Sequence, residues 1–282
     1  MKLCAACSQE LPRESFSKTQ WQLKQHQRRC KECIAVNRDV KLGAPDEDEA
    51  LFKEPSRDEC PICLLLLPLL ASGVNYQPCC GKMICTGCIH EVEKDDTRGL
   101  CPFCRTPAHT TNEEYIRRVK TRAKGNDAVA VHQLGSLYNH GRMSLQQNLD
   151  RAMELWHRAG ELGCPASYRM LSIAYHDGSH GVVRDMEKAD QYTRLAAMGG
   201  DVEARHNLGI VEWRVGNARR ALKHWMVAAG AGFDNSLENV RKCFLKGLAT
   251  KDDFEKTLRA HKEARDEMKS DQREVAAAIY YG

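Results

Sequence analysis

The chain has 282 residues, 14 of them cysteine, and a net charge of +4 from 42 basic and 38 acidic side chains. So mild a balance argues against direct nucleic-acid binding. No run of 18 apolar residues occurs, so no membrane span is expected.

Twelve of the 14 cysteines lie in the first 104 residues, and ten form five CxxC pairs. No apolar segment of the kind a secretory leader needs precedes Cys4. The expected setting is therefore intracellular, cytoplasmic or nuclear, where repeated CxxC pairs read as metal knuckles rather than disulfides. No phosphate loop, HExxH helix or serine triad appears, which argues against hydrolytic chemistry.

Residues 1–40 form a first cysteine module. Cys4 and Cys7 are followed, after 22 residues, by Cys30 and Cys33. Each pair forms a tight turn that aims two thiolates at one ion, and two such turns complete a tetrahedral zinc site. So short a module needs the metal in order to fold. Leu11, Pro12, Phe16, Ser17, Lys18 and Gln20, with the cysteines, resemble the STC-one-type, LIM-like zinc finger. That resemblance implies a protein-binding module.

Residues 41–58 read as an acidic linker. Gly43 and Pro45 precede the run Asp46–Glu49, and little apolar is available to bury, so a solvated spacer is expected.

Residues 59–108 form a second module, with CPIC at 60–63, PCCGKMICTGC at 78–88 and CPFC at 101–104. Eight cysteines at these gaps, proline after the first and seventh, and Arg105 after the last resemble an all-cysteine RING finger. The resemblance implies a cross-brace. Cys60, Cys63, Cys85 and Cys88 would then hold one zinc, and Cys79, Cys80, Cys101 and Cys104 a second, for three ions in the whole chain. Adjacent Cys79 and Cys80 are the irregular point. Should they not both bind, three cysteines remain there, to be completed by His90, His109 or water, although both histidines lack ligand spacing and read as surface residues. RING fingers hold a ubiquitin-conjugating enzyme and orient its ubiquitin thioester for attack. On that pattern Ile62 and Pro102 map onto the contact surface. Arg105 maps onto the slot where a long donor bridges enzyme and ubiquitin. The helix between Cys88 and Cys101 offers Ile89 and Val92, but no tryptophan at the site where many active RING fingers carry one. The apolar run Leu64–Leu70 is too short for a membrane and should pack on the zinc core or on a neighbouring domain.

Residues 112–282 change to helical spacing and repeat. Ala130, Ser167 and Ala204 are 37 residues apart, as are Leu134, Leu171 and Leu208, and Gly135, Ser172 and Gly209. A second helix follows in each unit, marked by Ala152, Ala189 and Ala221. Trp156 and Trp225 sit at equivalent places and should pack in the stack. A helix–turn–helix of this size cannot bury its own apolar face, so the units must stack. A weaker fourth unit follows, with capping chemistry at Thr250–Asp253. One long helix over about 252–278 is expected to cover the open end. The spacing resembles Sel-one-like repeats, relatives of the tetratricopeptide fold, which serve as protein-binding scaffolds.

The expected architecture is thus multidomain: two small zinc-stabilised modules, LIM-like and RING-type, then an all-α helical-repeat solenoid. Two functions fit it. One is a RING-type ubiquitin ligase or ligase subunit whose repeats bind protein substrates. The other is a non-catalytic zinc-binding adaptor. Whether the chain is an enzyme stays open between them.

Overall fold

Knuckles short of apolar side chains and helices rich in alanine and glycine build two different kinds of structure in one chain. The computed structural model describes residues 2–3, 10–15, 21, 31, 52, 55, 57–69, 73–94 and 99–281. The chain divides into two units, Met1–Leu51 and Phe52–Gly282. In the first, β1 (Lys2–Leu3) pairs antiparallel with β2 (Glu10–Leu11), and a 3-10 turn spans Arg13–Ser15. Cys4, Cys7, Cys30 and Cys33, and with them the expected first metal site, lie outside the described residues.

The second unit opens on the second cysteine module. A hairpin of β3 (Val74–Gln77) and β4 (Lys82–Cys85) leads directly into helix α1 (Thr86–Lys94). Gly81 closes the hairpin turn at φ +75°, a left-handed conformation that suits glycine.

Ten helices follow among the described residues: α2 (Asn112–Lys124), α3 (Ala128–His140), α4 (Leu149–Glu161), α5 (Pro165–Asp177), α6 (Met186–Met198), α7 (Val202–Arg214), α8 (Ala218–Gly230), α9 (Asp234–Leu245), α10 (Lys251–Met268) and α11 (Asp271–Tyr281). They stack as the hairpins α3–α4, α5–α6, α7–α8 and α9–α10, so the expected helical solenoid is present. Side chains start the helices. Asp127, Asn148, Asp185 and Asp201 each accept a backbone N–H two or three residues into the following helix. Thr250 and Asp253 form a reciprocal capping box on α10.

Within a hairpin the packing follows the repeat spacing. A Cβ added to Gly135 would lie 2.8 Å from Trp156, and one added to Gly209 would lie 2.5 Å from Trp225. Each indole thus fills the space that the glycine leaves. The middle hairpin has Ser172 and Thr193 at the same two places, joined by a 2.6 Å hydrogen bond between hydroxyls. A small pair that hydrogen-bonds replaces a glycine–tryptophan pair that packs. Between hairpins another register position acts as a tie. His132 meets Ser167 at 2.8 Å, Arg169 donates to Asp201 at 3.0 Å, and His206 meets Ser236 at 2.8 Å. Positions 132, 169 and 206 are 37 residues apart, so each repeat reaches its successor from the same place.

Three expectations need correction. The C-terminal segment is two helices rather than one. Lys269 is extended, and the Ser270 hydroxyl accepts the Arg273 N–H, which restarts the chain as α11. The new helix leaves the stack and packs against α1 of the cysteine module. His90 is not a surface residue. It is only 9% exposed, with the Tyr280 ring of α11 edge-on to it at 5.7 Å. Finally, the described residues of the 41–58 segment are not purely solvated, since Phe52 lies against His224 of α8.

The apolar run 64–70 divides its contacts. Leu67 joins Cys60, Ile84, Cys85 and Cys88 in the core of the cysteine module. Leu69 packs on Val202, Ala228, Ala231 and Phe233 of the repeats. One short stretch therefore supports its own module and fastens it to the solenoid. Tyr76 on β3 adds a polar fastening, donating to Asp127 at 2.9 Å, where Arg122 also donates at 2.8 Å.

Candidate metal centres

Two turns of the same design carry four of the eight cysteines of this module. Leu64 N–H donates to Cys60 O at 2.9 Å, and Arg105 N–H donates to Cys101 O at 3.0 Å. Leu64 and Arg105 both take φ of 59°, and the bridges Glu59–Leu66 and Leu100–Pro107 close the two loops in the same register. A left-handed residue directly after the second cysteine turns the chain back. Both sulfurs of each pair then lie on one side.

The remaining cysteines come from the hairpin and α1. Cys79 and Cys80 sit in the β3–β4 turn, where the Cys80 and Gly81 N–H groups both donate to Gln77 O. Cys85 ends β4 and Cys88 lies in the first turn of α1. The fold gathers these into Cys60, Cys63, Cys85 and Cys88 in one group, and Cys79, Cys80, Cys101 and Cys104 in another. Within each group all sulfurs lie within 4.8 Å of one another. The first pair shares its site with the third, and the second with the fourth, so the two sites interleave.

The sulfur spacing fits a tetrahedral ion. A zinc–sulfur distance of about 2.3 Å places neighbouring ligands of a regular tetrahedron about 3.8 Å apart. Cys60–Cys88 and Cys63–Cys85 are both 3.8 Å, and Cys80–Cys101 is 3.9 Å. Cys79–Cys104 is tighter at 3.4 Å, so the adjacent pair is where the second tetrahedron is least regular. These separations are far outside a disulfide bond. Four soft sulfur donors with no carboxylate among them suit zinc.

The electrostatics point the same way. Burial opposes the Cys60 thiolate, but the backbone N–H groups of Cys63, Cys85 and Ile62 outweigh it and hold the thiol down to about 7. Burial likewise opposes Cys104, yet the Thr106 hydroxyl and backbone, then Cys79 and Cys101, bring it to about 6. Cys79, Cys80, Cys85 and Cys88 are pushed up, by burial first and by neighbouring sulfur charge. Each cluster prefers one thiolate and resists further ones, and a divalent cation removes that resistance. The residues therefore fit zinc.

His90 and His109 stand apart from both groups. His109 lies 4.8 Å from the Tyr115 ring, and burial followed by Arg118 lowers its pKa. Ile62 is 41% exposed on the first knuckle. Pro102 lines a cleft of 570 Å³ together with Ile89 and Val92 of α1 and Tyr115 of α2. Ile62 is not part of that cleft, and Arg105 is exposed.

Arg273 is the site residue that the sequence does not reveal. It is 7% exposed on α11. One guanidinium nitrogen donates to Leu66 O at 2.5 Å and Met268 O at 2.7 Å. The other donates to Cys63 Sγ at 3.3 Å and Leu65 O at 3.3 Å. A cation thus supports the loop after the first knuckle and faces one of its ligand sulfurs. Gly87 on α1 permits the approach, because a Cβ there would lie 2.9 Å from the Arg273 backbone nitrogen.

Comparisons with known proteins give partial matches. The rice (Oryza sativa subsp. indica) E3 ubiquitin-protein ligase GW2 is 43% identical over 83 residues, 29% of this chain and 17% of that protein. The E3 ubiquitin-protein ligase DA2 of Arabidopsis thaliana is 38% identical over 75 residues, 26% of this chain and 17% of that protein. The match thus covers 17% of the length of either relative. The crystal structure of a Sel1 repeat protein from Oxalobacter formigenes covers 55% of this chain and 64% of its own, at 28% identity and a TM-score of 0.46. The Sel1 repeat family model matches residues 128–164 and 165–201, which are the hairpins α3–α4 and α5–α6, so the solenoid of this chain carries Sel1 repeats.

Proposed function

We propose that the chain is a RING-type ubiquitin ligase or ligase subunit whose helical repeats bind protein partners. The observation that carries this reading is the interleaving of two four-sulfur groups with near-tetrahedral spacing. Partial similarity to proteins named E3 ubiquitin ligases supports it. Zinc would supply structure only, fixing the knuckles, and Cys4, Cys7, Cys30 and Cys33 would hold a third ion in the N-terminal module.

Ile62 offers an exposed apolar side chain to a conjugating enzyme, and Pro102 a rigid wall beside Val92. Arg105 is exposed next to the last ligand, where a guanidinium can reach both enzyme and ubiquitin. Such a surface accelerates transfer by narrowing the poses of the thioester, without a covalent intermediate.

The test is chain formation by the purified protein with ubiquitin, activating enzyme and a panel of conjugating enzymes. Ile62→Ala and Arg105→Ala should each lower the rate about tenfold or more while the zinc content stays at the wild-type value. Inactivity with every conjugating enzyme would leave the adaptor reading in its place. The lack of a tryptophan between Cys88 and Cys101 favours that outcome.

A further inference from the structure

The face formed by α8 and α10 carries a segment of the chain's own linker. The Phe52 ring lies 4.5 Å from the His224 ring. Lys223 Nζ stands 5.0 Å from the Phe52 ring centre, and the Arg220 guanidinium 6.0 Å. His224 is fully buried, and neither ring nitrogen has a hydrogen-bond partner. Burial, then Arg205, Arg220 and Arg194, lower its pKa to about 3, so it presents a neutral flat wall. Five residues on, Arg57 reaches Glu267 of α10 at 3.4 Å. Between these anchors Pro55 and Arg57 border a groove of 390 Å³ over Val227, Gly230 and Ala260. The groove keeps open volume although the segment is seated on it.

Charge matches as well. Arg194, Arg205, Arg220 and Lys223 surround the aromatic seat. Among them the buried Glu212 takes ion pairs from Arg194 at 3.5 Å and Arg220 at 3.3 Å. An aromatic ring and an arginine thus meet a flat neutral wall and a carboxylate in the same order.

We propose that the α8–α10 face is a docking groove for a protein segment with an aromatic residue and an arginine five positions later. The chain's own Phe52 and Arg57 occupy it in cis. One aromatic contact and one half-exposed ion pair hold weakly by themselves. Tethering makes them effective, because a short linker sets a local concentration on the order of millimolar. A partner with the same pattern at higher affinity displaces the segment. This inference does not depend on ubiquitin chemistry.

The test uses the full chain and a fluorescent peptide of sequence DEDEALFKEPSRD, read by anisotropy. Phe52→Ala/Arg57→Ala should bind the peptide at least tenfold tighter than the wild type, whose groove is filled. Replacing the peptide phenylalanine by alanine should abolish that binding. Glu267→Arg changes only an exposed carboxylate, and it serves where the double variant does not fold. It should prefer a peptide with glutamate in place of the arginine by about tenfold. Equal affinity of wild type and opened variant, no binding to the folded opened variant, or no switch of preference by Glu267→Arg would each overturn the proposal.

Discussion

Truncating Arg273 to alanine removes a donor from Leu66 O, Met268 O, Leu65 O and Cys63 Sγ in one step. A hydrogen bond to a charged group contributes about 1.5–3 kcal/mol. The two short bonds, to Leu66 and Met268, set the scale. The two at 3.3 Å add little. Water entering the vacated space restores part of the loss, which leaves a net cost of about 2–3 kcal/mol. At about 1.4 kcal/mol per factor of ten, the lower end of that range corresponds to roughly a thirtyfold shift in an equilibrium. Metal release to a colorimetric chelator should therefore become biphasic in Arg273→Ala. The ion held by Cys60, Cys63, Cys85 and Cys88 should leave about thirtyfold faster, with the other unchanged. Arg273→Lys keeps the charge but loses the fork, and should fall between. Wild-type release from both sites would refute the reasoning, and so would equal acceleration of both.

The glycine–tryptophan pairs make a swap test. Gly209→Ser should cost about 1–3 kcal/mol in thermal unfolding through the clash with Trp225. Adding Trp225→Thr, which copies the Ser172–Thr193 pair, should cost less than the two single changes summed. His132 gives a pH test. Burial, then Arg169, lowers its pKa to about 4, so below pH 6.5 the unfolded chain binds the proton that the folded chain refuses. Stability should fall by about 1–2 kcal/mol between pH 7 and 5 from this group and level off below about 4. His132→Gln should flatten that part of the urea-unfolding profile. Elemental analysis of the intact protein should find three zinc ions per chain, and two after truncation of residues 1–51. Cobalt in place of zinc should give the visible bands of tetrahedral thiolate sites.

Repeats were the most legible feature because each unit restates the same constraint. A small residue at 135, 172 and 209 and its partner one helix later are local facts, repeated at a fixed interval. The gathering of cysteines in 60–104 was legible for a related reason, since the short segments between CxxC turns leave few ways to close them. The break at Ser270 is hidden although Ser270 is a capping residue, because a charged helical pattern runs on both sides of it. Arg273 was illegible for a different reason. Its partners lie up to 210 residues away, and no local pattern distinguishes a buried arginine from a solvated one. The docking of Phe52 escaped because a single aromatic residue in an acidic stretch carries no periodicity.

The α11 helix also sets an order of events during synthesis. Arg273 lies 169 residues after Cys104, so the last ligand of the cysteine module is made well before the arginine that supports the first knuckle. At about 5–20 residues per second, the interval is roughly ten to thirty seconds. Throughout that time the nascent module must keep the loop after its first knuckle closed without the guanidinium that later holds Leu65 O and Leu66 O. A growing chain short of zinc would present those thiols unprotected until α11 arrives.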